Sequence, residues 1–200
     1  IIKFASDMKK LALLFLMLIT FVGFAQQKAK PLENVDNGIF QIEKHFLLDL
    51  DGEPDYGFMI IGLEGWDMGC SLYSQSDTII HRVYSEPIQS WLIEYNNALN
   101  KGDEPQPPVL SEYKLKIDDP NDFSAITRFL QSIVDKAKPF KEEPRVDGVN
   151  WVVLAKGKWA YIHTGGFHKE GAITDILELI ALGCESNDPS MLTREALGLE

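Results

Sequence analysis

The chain is poor in basic residues. Lysine and arginine together number 19 against 30 aspartates and glutamates, so the formal net charge is −11. Binding to nucleic acids or to anionic lipid headgroups depends on clustered Lys and Arg side chains, which an acidic chain does not offer. The composition therefore argues against nucleic acid and membrane surfaces as partners, and leaves a protein or a small ligand as the expected partner.

Sequence motifs of catalysis and phosphate binding are also missing. The chain has no C-x-x-C pair, no G-x-x-x-x-G-K loop, no dinucleotide-binding glycine pattern and no G-x-S-x-G around Ser71. Cys70 or Ser71 would need a nearby histidine to act as a nucleophile, and no local pattern supplies one. His81 alternates with apolar neighbours and is typical of a core histidine. The sequence thus predicts no catalytic residue and no cofactor.

Cysteine is scarce too, since Cys70 and Cys184 are the only two in the chain. In an exported protein an even number of cysteines permits a disulfide. A bridge between them would close a long loop and add on the order of 4 kcal/mol in the chain-entropy model. The alternative is two buried thiols that behave as small apolar side chains. The sequence leaves both alternatives open.

The longest apolar run lies near the N-terminus. Two lysines precede an uncharged stretch at 11–24, and small residues surround Ala25, as in a secretory signal peptide. The run is shorter than the roughly 20 residues of a membrane-spanning helix, which favours a cleaved signal over an anchor. We expect an upstream extension and signal over 1–25, with Met8 as the initiator, and a periplasmic or extracellular protein. Loss of this segment would change the net charge to −13, because it carries three lysines and one aspartate.

The rest of the chain predicts one domain of mixed secondary structure. Residues 26–37 have no apolar period, which predicts a flexible lead into a domain over 38–200. The apolar periods then predict strands, a helix, a strand, a helix, a hairpin and a helix. This order is typical of an α+β fold, and we expect an antiparallel sheet of about five to seven strands with three helices packed on it. The tail after 184 is expected either to fray or to dock.

The individual elements follow from the apolar periods. Alternation at 38–50 predicts a half-buried strand, paired in a hairpin with a second strand at 56–65. Helical spacing and proline or glycine boundaries predict the three helices. The further strands are expected at 68–73, 78–84, 113–117, 149–155 and 158–164, and the helices at 88–99, 120–137 and 172–182.

The stretch DLDGEPDYG at 49–57 has the carboxylate density of a calcium loop. Four acidic residues occupy the first, third, fifth and seventh positions of the EF-hand template: Asp49, Asp51, Glu53 and Asp55. The template also requires glycine at position six and glutamate at position twelve, where this chain has Pro54 and Ile60. The EF-hand match fails. We expect a solvated turn between two strands, with a weak cation site as the alternative.

A second candidate metal site is the sequence HTGGFHKEG, which begins at 163. His163, His168 and Glu170 are zinc-ligand types on a glycine-rich loop. Their spacing is not that of H-E-x-x-H, so a loop with two surface histidines is the simpler interpretation. We therefore expect an exported acidic domain that binds a protein or small ligand without catalysis. The alternative is a metal-assisted hydrolase that uses the cluster at 49–55 or the loop at 163–170.

Overall fold

The computed structural model confirms the predicted α+β class. It describes part of the chain, within which one antiparallel sheet of seven strands carries four helices rather than the expected three. No helix in this part is long and apolar enough to span a membrane. The described residues are 29–31, 38–61, 67–101, 108–138, 148–165 and 172–199. The predicted signal segment lies outside them.

The strands lie side by side in the order β1-β7-β6-β2-β3-β4-β5. In chain order they are β1 (Lys30–Pro31), β2 (Tyr56–Ile61), β3 (Met68–Tyr73), β4 (Thr78–Tyr84), β5 (Leu110–Lys116), β6 (Gly148–Ala155) and β7 (Lys158–Gly165). The helices are α1 (Gly38–Lys44), α2 (Ile88–Lys101), α3 (Pro120–Asp135) and α4 (Ala172–Glu185). A π-helical turn (His45–Asp49) continues α1, and a 3₁₀ turn (Pro189–Leu192) follows α4.

Helices cover both faces of the sheet. On the first face, α3 and α4 pack over a large apolar cluster that includes Phe58 and Leu72. On the second face, the π-helical turn and α2 cover a smaller cluster around Leu48, Met59 and Ile88. Successive residues of a strand point to opposite faces, so the central strands must be buried on both sides. The sheet is therefore the middle layer of three.

The segment 38–50 is helical, so the predicted strand there was wrong. Leu47 and Leu48 are neighbours and both are fully buried, whereas a strand would send them to opposite faces. Both pack on glycines of the sheet: a Cβ added to Gly69 would lie 2.8 Å from Leu47 Cβ, and one on Gly57 would lie 3.3 Å from Leu48 Cδ2. An alternating apolar pattern also contains i, i+4 spacings, and packing on these glycines decides in favour of the helix.

Because the first strand is absent, β2 has other partners than predicted. Phe58 pairs with Cys70 of β3 and Val153 of β6, both antiparallel. The acidic stretch therefore joins a helical turn to a strand, and is not a hairpin between two strands. The β6–β7 hairpin is confirmed, and its turn residues Lys156 and Gly157 have positive φ angles of 48° and 74°, the left-handed conformation that tight hairpin turns require.

The ends of the described chain are attached to the core. Lys30 and Pro31, in the stretch expected to be a flexible lead, pair with β7. The side chain of Asp119 caps the start of α3, where it accepts a hydrogen bond of 2.8 Å from Asn121 N. After α4 the tail docks: Leu192 is fully buried.

Candidate functional site

A buried arginine organises the second face of the sheet. Arg82 of β4 is completely inaccessible to solvent. Its Nη2 lies 2.6 Å from Asp51 Oδ2, and its Nε lies 2.9 Å from Glu112 Oε2. Its Nη1 donates longer hydrogen bonds, of 3.4 Å each, to Leu48 O and Ser71 Oγ. A buried charge needs such compensation, and here two carboxylates supply it.

The other carboxylates of the acidic stretch also have contacts within the chain. Lys44 Nζ lies 2.9 Å from Asp49 Oδ2 and 3.8 Å from Glu53 Oε1. Asp55 Oδ2 accepts a hydrogen bond of 3.0 Å from Ser74 N. These contacts draw the carboxylates toward different partners. Over the ranges that the structure describes, no three His, Cys, Asp or Glu side chains converge as metal ligands would.

Beside this stretch lies an open groove of about 630 Å³, which we call the acidic groove. Its charged lining residues are three carboxylates, Asp51, Glu53 and Asp55, and one ammonium, Lys114. The turn between β3 and β4 forms the opposite wall with uncharged polar side chains. The volume falls in the range of small-molecule pockets. The sequence singled out the carboxylates but not the groove, because the opposite wall comes from other strands.

The acidic groove has a fixed frame. The Tyr73 hydroxyl donates a hydrogen bond of 3.1 Å to Gly52 O. Gly52 N in turn donates to Asp49 O at 3.0 Å, and the φ of Gly52 is +102°, which favours glycine. Together with the Arg82–Asp51 ion pair, these contacts hold the wall in place without a ligand. The Glu53 side chain is the exception, because it is 74% exposed and can move to meet a ligand.

A thiol, an imidazole and a carboxylate meet on the first face of the sheet. Cys70 Sγ lies 3.2 Å from His81 Nδ1, and His81 Nε2 lies 3.0 Å from Glu185 Oε1. The neutral imidazole satisfies these two contacts when Nε2–H donates to Glu185 and Nδ1 accepts a hydrogen bond from the thiol. Nδ1 also lies 3.2 Å from Gly69 O, to which it can donate alongside the Glu185 bond only as the protonated imidazolium. The same order of groups occurs in cysteine hydrolases. Register pairs Cys70 with His81 across β3 and β4, so pairing the predicted strands at 68–73 and 78–84 as a hairpin would have indicated this contact. Glu185 is too distant in sequence to foresee.

This trio does not have the properties of a reactive centre. Cys70 and His81 are both fully buried. Burial raises the pKa of the Cys70 thiol well above its usual range, and the nearby Cys184 and Glu185 raise it further, against a lowering effect of Arg82. Burial lowers the pKa of His81, although its hydrogen bonds to Glu185 and Gly69 oppose this. A catalytic cysteine needs access and a low pKa. The trio instead fastens α4 to the sheet.

The second cysteine is also a buried thiol. Cys184 is free, as is Cys70. Burial, and then the charge of Glu185, raise the pKa of Cys184 to about 12. Of the two alternatives for this pair, the structure contains the buried thiols.

The predicted histidine loop is placed only in part. His163 lies on β7, where its backbone pairs with Asn150 of β6. His168 and Glu170 lie outside the described residues. The candidate zinc site therefore stays a prediction.

A pair of buried carboxylates, missed in the sequence, lies under the helices of the second face. Glu43 of α1 and Asp67 are 2% and 1% exposed. Glu43 Oε1 accepts a hydrogen bond of 2.7 Å from Gln89 Nε2, and Asp67 Oδ2 accepts one of 2.7 Å from Ile88 N. Burial raises the pKa of Glu43 to about 7; the Gln89 bond opposes that rise and the charge of Asp67 adds to it. These carboxylates connect α1 and the start of β3 to α2.

Comparison of the chain with protein-family models, with curated proteins and with solved structures finds no match. Proposals about function therefore rest on the geometry of its own residues.

Proposed function

We propose that the protein is an exported, non-catalytic binding domain whose acidic groove takes cationic side chains of a partner protein. The observation that carries the proposal is the imbalance of charge in the groove. Asp51, Glu53 and Asp55 face a single ammonium group, Lys114, among the lining residues. A cleft lined mainly by one sign of charge raises the local concentration of ligands of the opposite sign.

Lysine and arginine side chains fit this lining by their chemistry. Their N–H groups donate charge-assisted hydrogen bonds to carboxylates, which are stronger than bonds between neutral groups. Glu53 is the most available acceptor, because its side chain is 74% exposed and its distance to Lys44 is 3.8 Å. Asp51 is half exposed and held in place by Arg82. The groove therefore offers one adaptable and one fixed carboxylate to a cation.

The described residues favour binding over hydrolysis. No histidine or cysteine lines the acidic groove. The buried thiol and imidazole of Cys70 and His81 lie on the other face of the sheet, away from Asp51. The lining hydroxyls of Ser76 and Thr78 donate hydrogen bonds to backbone carbonyl oxygens, at 3.5 and 3.1 Å, whereas a nucleophilic hydroxyl needs a neighbouring base such as histidine.

Binding can be tested with a fluorescent peptide rich in lysine and arginine. We expect the purified protein to bind it with an affinity that falls as salt is added, because salt screens exposed charges. The double variant Glu53→Gln, Asp55→Asn keeps the shape of the groove and removes two charges. Two exposed ion pairs contribute about 0.2–1 kcal/mol each, so its Kd should rise by about two- to thirtyfold.

A matched control removes the same charges elsewhere. Asp118→Asn with Glu195→Gln changes two exposed acidic residues outside the groove lining and should leave the Kd close to that of the unmodified protein. Equal weakening by both double variants would mean attraction to the acidic surface in general and would contradict the groove. Failure of the peptide to bind at low salt would contradict the proposal as a whole.

Export has its own test. The proposal rests on the lysines and the apolar run that precede Ala25. Expression with the full N-terminal segment in a secreting host should give a mature protein that begins at Gln26, as read by mass spectrometry. Retention of an intact N-terminus in the cytoplasm would refute export and leave the binding proposal unaffected.

A further inference from the structure

Strand β5 is an open edge of the sheet. It is last in the strand order, and in the part of the chain that the structure describes it pairs only with β4. Hydrogen bonds at its two ends fix the direction of its backbone: Ser85 N donates to Val109 O at 3.0 Å, and Ile117 N donates to Asp77 O at 2.8 Å. Odd-numbered residues therefore bond to β4, and the N–H and C=O groups of the even-numbered residues point outward. These are Leu110, Glu112, Lys114 and Lys116.

We propose that this edge binds a second copy of the chain, so that two β5 strands pair antiparallel about a two-fold axis at Tyr113. This register places Glu112 opposite Lys114 of the other copy, and does so twice because of the symmetry. It also places Leu110 opposite Lys116. In both pairs, the backbone N–H and C=O groups of the two residues point outward from β4, as an antiparallel hydrogen-bonded pair requires.

Charge singles out this register among the symmetric ones. A two-fold axis at Glu112 would set that carboxylate against itself, and an axis at Lys114 would do the same with two ammonium groups. An axis at Leu115 would oppose Lys114 and Lys116. Like charges directly opposite each other destabilise a strand pair, and opposite charges stabilise it. The axis at Tyr113 gives two opposite-charge pairs and no like-charge pair.

The same charges explain why the pairing stops at two chains. Charged residues, lysine especially, protect edge strands from uncontrolled association. Here the charged residues of β5 disfavour the other registers and permit one. The assembly closes at two chains, because each β5 has only one open side and the partner occupies it. The strand also carries a local excess of positive charge within a chain of net charge −11. Contact at β5 therefore avoids the repulsion that other faces of two acidic chains would meet.

The neighbourhood of the edge is compatible with close approach. α4 packs over β4 and β5 on the first face, and in a joined sheet the two α4 helices lie on the same side. Leu182 on this helix is 47% exposed. Tyr113 is partly buried and stacks on His81 with ring centroids 5.9 Å apart. Its backbone position is thus fixed before a second chain arrives.

Light scattering and amide hydrogen exchange test the proposal on the purified protein. The mass should rise from one chain to two with concentration and should not rise further. In the dimer the amides of Glu112 and Lys114 should become protected, while those of Ser111 and Tyr113 are protected in both states because they bond to β4. This alternation along one strand serves as an internal control.

Variants at the central pair give the sharper result. Lys114→Glu sets a carboxylate opposite Glu112 of the other copy, and the two-fold symmetry repeats this repulsive contact. The dissociation constant of the dimer should therefore rise by about tenfold or more. Lys114→Arg keeps the opposite charges in the same register and leaves Glu112 on Arg82, so it should keep the dimer. Lys114→Pro removes one outward N–H without touching a bond to β4, and should give a folded monomer. Lys158→Glu makes the same charge change away from the edge and should leave the dimer intact.

Two outcomes would overturn the proposal. One is a light-scattering mass of a single chain at every concentration, which would mean that β5 does not pair with a second copy. The other is a dimer that Lys114→Glu and Lys114→Pro do not weaken, since its contact would then lie elsewhere. Circular dichroism of each variant confirms that the fold is intact before masses are compared.

Discussion

Arg82 Nη2 and Asp51 Oδ2 lie 2.6 Å apart, although the side chain of Arg82 is fully buried and that of Asp51 is half exposed. This ion pair connects the middle of the sheet to the wall of the acidic groove. Glu112 of the edge strand β5 completes the charge balance from the other side. The groove and the proposed dimer edge therefore share one buried cation.

The two carboxylates on Arg82 should substitute for each other. Asp51→Asn or Glu112→Gln alone should lower the free energy of unfolding by about 1 kcal/mol, because the remaining carboxylate still neutralises the guanidinium. Both together leave a buried charge without a counter-ion and should cost about 3–5 kcal/mol. Urea denaturation of the four proteins gives the coupling energy. Additive effects of the two substitutions would contradict the shared role.

Glu43 should make the protein less stable as the pH rises. Its pKa is raised from 4.5 to about 7, so the native state holds a proton that the unfolded state releases between these values. The free energy of unfolding should therefore fall across this window, by on the order of 3 kcal/mol from this group. Denaturation at pH 5 and pH 8 measures the loss.

Glu43→Gln should remove that loss, because the amide stays neutral and still accepts the hydrogen bond from Gln89. The variant should be more stable than the unmodified protein at pH 8 and similar to it at pH 5. Glu53→Gln, at an exposed carboxylate, serves as the control and should keep the original pH dependence. Parallel pH profiles for Glu43→Gln and the unmodified protein would contradict the assignment.

Both cysteines should be unreactive in the native protein. Cys70 and Cys184 are buried thiols whose pKa values burial raises, so little thiolate forms at neutral pH and reagents cannot reach it. A chromogenic disulfide reagent should label no thiol in the folded state and two thiols after denaturation without reductant. Rapid labelling of Cys70 in the folded protein would indicate a nucleophile, and no labelling after denaturation would indicate a disulfide.

Gly69 should not tolerate a side chain. A Cβ at this position would lie 2.8 Å from both the Cβ and the carbonyl oxygen of Leu47. Gly69→Ala should therefore displace the π-helical turn and destabilise the protein by about 1–3 kcal/mol, as overpacking does. Urea denaturation measures this, with Ser74→Ala at an exposed turn position as the control. An unchanged midpoint would show that the turn can move away at no cost.

Local signals explain the elements that the sequence predicts correctly. Asp119-Pro120 begins α3 because capping and proline geometry depend on adjacent residues. Lys156-Gly157 turns the β6–β7 hairpin for a similar reason. The failed strand at 38–50 has no such signal. Its apolar alternation fits either structure, and contacts with residues far along the chain, such as Gly69, decide between them.

The candidate sites also contain some features that neighbouring residues determine and others that depend on distant contacts. The sequence located Asp51, Glu53 and Asp55 as a group and excluded an EF-hand by position counting. It could not place Arg82 beneath them, because that contact spans 31 positions and depends on strand order. The contact of Cys70 with His81 was within reach of a register argument, but that of His81 with Glu185 was not.

The sequence by itself determined the acidic charge, the α+β class and most of the helices and strands, because these follow from composition, period and neighbouring residues. Tertiary structure alone decided that 38–50 is helical, that Arg82 is buried beside two carboxylates and Glu43 beside Gln89, and that β5 is an edge. Each of these depends on which distant segments pack together. That choice reflects burial and charge compensation summed over the whole sheet, to which a local pattern contributes only a part.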